Sequence, residues 1–401
     1  MMKGRLWTMF NFNFFFPTRL IFGAGKFQTL GEEVAALGKR ALLVTYPSQS
    51  LAETVAQATA MLEKHGVSSV FYAKATANPT HTCVNEGAEL ARGENCDVVI
   101  GLGGGSPMDV AKAIAVAAPE NLDIWKIYEG APITHPSLPI VAVPTTAGTG
   151  SEATFYSVIS NRELRRKEGF ARQQFFPKVS IIDPLLTLSL PPAMTAATGM
   201  DTLTHAIEAY TSRLASPMSD LFAAEAIRLT GLYLRRAVYN GKDIEARTNM
   251  LFANTLAGIA ITHADTCLAH VIGEAVGAIF DTGHGLSVSL TLPAVMEYNC
   301  AANTAKYASI THLMGEDDGF MSEREAARRS PAVVRNLIQD IGLPQGLAAL
   351  GVGGDLSGVM ALVNRPGMDA SNPRPADSAA FELLIKGSLS PAMSYWEVGG
   401  K

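Results

Sequence analysis

Cysteine is scarce in this sequence. Of 401 residues only Cys83, Cys96, Cys267 and Cys300 are thiols, and none forms a C-x-x-C pair. That excludes a disulfide framework and matches the usage of a reduced compartment. An excess of base is also missing. Lys and Arg number 32 against 37 Asp and Glu, a net charge of −5, so the concentrated positive field of a nucleic-acid binder is absent. Nor is there an apolar run fit to span a bilayer as a helix. The longest charge-free stretch, Ala131 to Ser151, is interrupted by Pro132, Pro136, Pro139, Pro144 and two glycines. The oily stretch Met9 to Phe16 is broken by Asn11 and Asn13 and is followed by no small-residue cleavage site. It reads as an edge strand or a partner-facing arm. The expected address is the cytoplasm, with no membrane and no nucleic acid as partner.

What is present is a globular composition, 48% apolar and 17% charged. The chain is too long for one core, since single cores stop growing near ~250–300 residues. Up to about residue 190, short apolar runs alternate with helical stretches. Strands are predicted over Arg40–Tyr46, Val70–Ala73, Asp97–Gly101 and Pro139–Val143, with helices over Leu51–Lys64, Val84–Arg92 and Met108–Ala118. This alternation predicts a parallel sheet covered on both faces. The proline pair Pro191-Pro192 marks a junction. Beyond it long helical periodicity takes over, at Ala193–Ser212, Pro217–Val238, Ile244–Ile261, Cys267–Phe280 and Glu323–Ile341. The expected domains are therefore 1–190, α/β, and 191–401, all-helical.

Two places carry chemistry. Gly101-Leu-Gly-Gly-Gly-Ser-Pro-Met-Asp109 follows a strand and opens a helix. Glycines let a backbone approach a ligand closely, and a helix N-terminus offers free N–H groups to a diphosphate. A tight turn with no ligand would use the same residues. The spacing also departs from the usual G-x-G-x-x-G, since Ser106 holds its last position. A second turn, Pro144 to Glu152, brings the hydroxyls of Thr145, Thr146 and Thr149. In the helical half, Asp201 and His205 stand at i and i+4 on one helix face, and His270 and His284 lie 14 residues apart. Spacing alone fits a helix-surface pair as well as a ligand pair. Three of eight histidines joining one aspartate in the same half favour a divalent-metal set without thiolate, suited to Fe(II) or Zn(II).

Together these motifs resemble the iron-containing (group III) alcohol dehydrogenase family. The match runs through Gly103 to Asp109, Pro144 to Glu152, Ala197 to Tyr210 and His270 to Gly285, with smaller matches at Phe16–Gly25, Asn78-Pro79, Ile182–Pro184 and Asp369–Arg374. The resemblance implies an N-terminal α/β nucleotide-binding domain with a parallel sheet and an all-α C-terminal domain, a dehydroquinate synthase-like architecture. It implies metal ligands at Asp201, His205, His270 and His284, and NAD(P) contacts at Asn78, Gly104, Gly105, Ser106, Asp109, Thr145, Thr146, Thr149 and Lys167. It further implies reversible oxidation of a small primary alcohol to its aldehyde in a homodimer or larger homo-oligomer. A polyol or hydroxyacid dehydrogenase on the same fold, or a non-catalytic nucleotide- or metal-binding protein, are the competing readings.

The sequence departs from the family pattern twice. Many relatives carry a histidine four residues after the third ligand, where this chain has Glu274. This carboxylate is open to relaying a proton alongside His270, to serving as an extra ligand, or to pairing with a neighbour. At the end of the strand over Arg40–Tyr46, NAD-preferring relatives often place an aspartate. Here the chain reads Thr45-Tyr-Pro-Ser-Gln-Ser50, so no carboxylate repels a 2′-phosphate, and NADP(H) is expected to be accepted.

Overall fold

The structure, a computed structural model, describes residues 11–164, 166–316, 319–390 and Tyr395. Two compact units emerge: Phe16–Leu190, and Pro191 onward together with the described residues before Phe16.

The first unit is α/β. In chain order it holds β1 (Arg19–Phe22), α1 (Leu30–Ala35), β2 (Arg40–Val44), α2 (Ala52–Lys64), β3 (Ser68–Tyr72), α3 (His81–Gly93), β4 (Val98–Gly103) and α4 (Gly105–Glu120). Then come α5 (Ile124–Tyr128), β5 (Ile140–Pro144), β6 (Tyr156–Asn161), β7 (Arg166–Ala171) and β8 (Val179–Ile182). Six strands form a parallel sheet in the order β1-β8-β5-β4-β2-β3, and β6 and β7 form a separate antiparallel hairpin. Alternate strand residues feed two cores. Leu42, Val44 and Val99 pack with Val84, Val110 and Ile114 from α3 and α4. Ala41, Leu43, Val98 and Ile100 pack with Leu30, Ala58 and Leu62 from α1 and α2. A sheet buried on both faces explains why its strands read as unbroken apolar runs. From Val110 to Ala118 every residue of α4 is buried, Lys112 included.

The second unit is helical: α6 (Pro192–Thr211), α7 (Pro217–Tyr239), α8 (Ile244–Ala264), α9 (Leu268–Phe280), α10 (His284–Asn299), α11 (Thr304–Leu313), α12 (Glu323–Asp340), α13 (Ser357–Val363) and α14 (Ser378–Leu389). Among the described residues it contains no strand. Among the described residues no single helix is long and apolar enough to cross a membrane.

The N-terminal arm differs from expectation. Residues 11–16 form no strand, and Met9 and Phe10 lie outside the described residues. Phe14 stacks on His263 at 4.1 Å and on Phe222 at 5.8 Å, while the Phe15 backbone meets His263 Nε2 at 3.2 Å. These aromatic contacts tie the described arm residues to the helical unit.

Candidate metal centre and nucleotide site

Three helices supply the four donors. Asp201 and His205 lie one turn apart on α6, His270 is in the first turn of α9, and His284 opens α10. One ligand atom from each lies within 4.8 Å of all the others. Asp201 Oδ1 stands 3.8 Å from His270 Nε2 and 3.6 Å from His284 Nε2. The His205 and His270 rings are stacked, their centroids 4.4 Å apart. Asp201, His205 and His270 are at most 5% exposed, while the His284 side chain is 27% exposed, so the cluster is sealed on three sides and reachable past the fourth.

Glycines allow the convergence. A Cβ on Gly285 would lie 2.6 Å from the Ala197 carbonyl oxygen, and one on Gly273 would lie 2.8 Å from the Val288 backbone nitrogen. Only a bare Cα lets α10 approach α6 and α9 this closely. Between α8 and α9 the chain turns by 102°, with Asp265 in the left-handed region at φ 59°. The turn is tied down from elsewhere: Ser212 Oγ donates to the Ala264 carbonyl, Arg213 N donates to the Ser371 carbonyl, and the Ser371 hydroxyl donates to the Thr266 carbonyl.

Glu208 is a member of the site that spacing did not single out. It lies seven residues after Asp201 on α6, is 2% exposed, and accepts from His270 Nδ1 and from Ala269 N, each at 2.6 Å. The i+7 position on the face already carrying two candidate ligands was the available signal. With Nδ1–H donating to Glu208, His270 Nε2 faces Asp201, buried and without a hydrogen-bond partner. A buried polar atom left so costs about 1–3 kcal/mol, and a cation removes that cost. Burial alone would depress the His270 pKa, but Glu208, Asp201 and Glu274 outweigh it and push the imidazole up to about 9. The cluster thus attracts positive charge, and its nitrogen and oxygen donors fit Fe(II) or Zn(II). Glu274 is half-buried and lies outside the four-donor group; it acts on His270 through its charge.

In the α/β unit, Gly103 at φ 146° ends β4, and the turn enters α4 at Gly105. Its surroundings refine the role of the glycines. A Cβ on Gly104 would lie 3.1 Å from the Tyr46 hydroxyl and 3.3 Å from Thr146 Oγ1, and one on Gly105 would lie 2.6 Å from Thr149 Cγ2. The glycines therefore make room for the second turn as well as for a ligand. Gly104, Gly105, Ser106, Thr146 and Thr149 come together, and Thr145 N donates to the Gly103 carbonyl at 2.8 Å. Tyr46, just past the end of β2, folds onto this turn; burial raises its hydroxyl pKa while hydrogen bonds with Ser106 oppose the rise. Asn78, at φ 51°, accepts from Lys167 Nζ at 2.9 Å. The Asp109 carboxylate accepts from Ser151 Oγ at 2.6 Å and Val158 N at 3.1 Å, bracing the second turn.

Three of the other histidines have separate partners. His263 holds the N-terminal arm, His65 Nδ1 contacts the Met61 carbonyl, and His135 joins Glu120. Phe170 stacks on Tyr128 at 3.7 Å, within the α/β core.

Comparison with known proteins settles the family. The family model for iron-containing alcohol dehydrogenase matches residues 17–184, and that for the family's C-terminal part matches 195–389. The chain belongs to the iron-containing alcohol dehydrogenases. It is 39% identical to the 1,3-propanediol dehydrogenase of Klebsiella pneumoniae over 94% of this chain and 98% of that one. With the NAD-dependent methanol dehydrogenase of Bacillus methanolicus it shares 36% identity over 94% of this chain and all of the other. A solved 1,3-propanediol oxidoreductase superposes with a TM-score of 0.90 at 38% identity, covering 94% of this chain and 100% of that one. As a member of this alcohol dehydrogenase family, the chain has the expected α/β and helical halves and is an oxidoreductase.

Proposed function

We propose that the protein interconverts a small primary alcohol and its aldehyde, using NAD(P) bound at the α4 turn and a divalent cation, Fe(II) or Zn(II), held by Asp201, His205, His270 and His284. The carrying observation is the convergence of these four donors from three helices, with His270 Nε2 turned inward by Glu208. When bound, the cation acts as a Lewis acid toward the substrate oxygen and the nicotinamide exchanges the hydride. The protein's part is positional. Buried walls around Asp201, His205 and His270 exclude water, and the exposed edge of His284 leaves the approach for substrate. Glu274, one turn along α9 from His270, is the carboxylate outside the donor set that we assign to moving the alcohol proton. The free amides of Gly105 and Ser106 at the α4 N-terminus and the Thr146 and Thr149 hydroxyls take the diphosphate and its neighbours, with Asn78, Asp109, Thr145 and Lys167 completing the contacts. Relatives named for propanediol, methanol and lactaldehyde support a short substrate.

Chelation is expected to abolish NAD(P)H-dependent reduction of short aldehydes, and Fe(II) or Zn(II) to restore it. Full activity in protein shown to be metal-free would refute the site.

Nucleotide preference follows from the end of β2. Thr45 to Ser50 holds no carboxylate, and Ser48 and Ser50 are exposed, their hydroxyls 2.8 Å apart. The expected kcat/KM for NADPH therefore lies within roughly tenfold, about 1.4 kcal/mol, of that for NADH. A hundredfold advantage for NADH in steady-state assays contradicts this reading.

A further inference from the structure

Lys112 is a fully buried charge-bearing side chain that the proposed reaction leaves unused. It sits in the second turn of α4 with no exposed surface, and its ammonium donates to Ser151 Oγ at 2.8 Å, Thr154 Oγ1 at 3.1 Å and the Tyr156 carbonyl at 2.9 Å. All three acceptors belong to the segment that follows the Thr145–Thr149 turn and enters β6. Asp109, one turn earlier on α4 and 4.0 Å from the ammonium, holds the same segment through Ser151 and Val158. Lys112 therefore clamps the helix that begins at the glycine turn to the chain that carries the threonine hydroxyls.

We propose that Lys112 is a positioning residue that holds the two nucleotide-binding turns in register, and that its loss of charge loosens them and weakens dinucleotide binding. The proposal rests on the nucleotide reading of those turns. An ammonium offers three donors and meets three acceptors; a neutral amine offers two. Losing the proton also strips the buried carboxylates Asp109 and Glu152 of their compensating charge. Burial lowers the Lys112 pKa to about 8, with Asp109 and Glu152 pulling it back up. The charge is thus present at neutral pH and is lost as pH rises through about 8. The groups that face the clamp from the neighbouring elements are Lys167 beside Asp109, Arg172 beside Tyr128, and the hydroxyls of Tyr46 and Tyr128. Burial raises both tyrosines, so neither ionises over this range.

NADH is the probe, since its diphosphate does not titrate between pH 7 and 9. Its dissociation constant is measured by nicotinamide fluorescence on metal-loaded protein, for the wild type and for Lys112→Met and Lys112→Arg. The expected wild-type constant rises about tenfold from pH 7 to 9. Lys112→Met binds weakly and without pH dependence, and Lys112→Arg, which keeps its charge, loses the rise near pH 8. A flat wild-type curve, or a Met variant that follows the wild-type curve, overturns the proposal. Should the Met variant fail to fold, the wild-type curve and the Arg variant decide. A wild type that binds no NADH at all refutes the nucleotide site and this proposal with it.

Discussion

Asp201→Ala is expected to lower aldehyde reduction by roughly a thousandfold, about 4 kcal/mol of barrier, and to empty the site of metal. Asp201 is the only anion among the four donors, and its Oδ1 stands within 3.8 Å of two imidazole Nε2 atoms. Without it three imidazoles remain, with no negative charge in direct reach of a dication. The fold should survive. Alanine is the better helix former in the middle of α6, but removing Asp201 also takes away a carboxylate that faces the raised His270 imidazole. The melting temperature of the metal-free variant at pH 7 should therefore fall below that of the metal-free wild type while the transition stays cooperative. Elemental analysis, turnover and calorimetry on one preparation check all three. A variant with full metal occupancy and undiminished turnover would place the chemistry elsewhere.

The α/β half was legible because its central strands β2, β4 and β5 are buried on both faces. Runs such as Ala41–Val44 and Val98–Leu102 have no polar alternation to confuse the reading, and the glycine turn sits where β4 meets α4. The strands that escaped, β1 and β8, are four residues each, too short to show a period. The β6–β7 hairpin escaped because β7, Arg-Lys-Glu-Gly-Phe-Ala, is polar and lies outside the main sheet. In the helical half α11, α13 and α14 went unpredicted, and so did α10. From Ser287 to Asn299 every residue is buried, so no polar face marks its period, and Pro293 inside it reads as a helix breaker.

At the site, the four donors could be chosen from the sequence because histidine is scarce, 8 in 401 residues, and because their motifs resemble those of the iron-containing alcohol dehydrogenases. Their convergence could not. It depends on Gly273 and Gly285 admitting neighbouring helices and on the left-handed Asp265 turning the chain toward α9, and these are properties of contacts far apart in sequence. Lys112 was hidden differently. A lysine in an alanine-rich helix is ordinarily a solvated residue, and only the return of the chain through Ser151–Tyr156 encloses it.

Glu208→Ala should weaken metal binding about 10–100-fold, a loss whose pH dependence reveals its cause. The Glu208 carboxylate accepts from both Ala269 N and His270 Nδ1. It therefore anchors the start of α9 and fixes which imidazole nitrogen faces Asp201. Glutamine has one carbonyl oxygen for two donors, so Glu208→Gln should fall between wild type and alanine. In the metal-free wild type, His270 is raised from 6.5 to about 9. Its ion pair therefore stabilises the fold fully below about 6.5 and loses that contribution as pH rises through about 9. Over the same range an incoming cation must displace the proton, so affinity falls by up to about tenfold per unit as pH drops below 9. Removing Glu208 lets that proton leave more easily and relieves part of this competition. The deficit of the alanine variant should accordingly be largest near pH 9, where wild-type His270 no longer competes, and smaller at pH 7. Chelator-competition titrations at the two pH values measure it. An equal deficit at both would show that Glu208 acts only by holding α9 in place, and an undiminished affinity would remove it from the site.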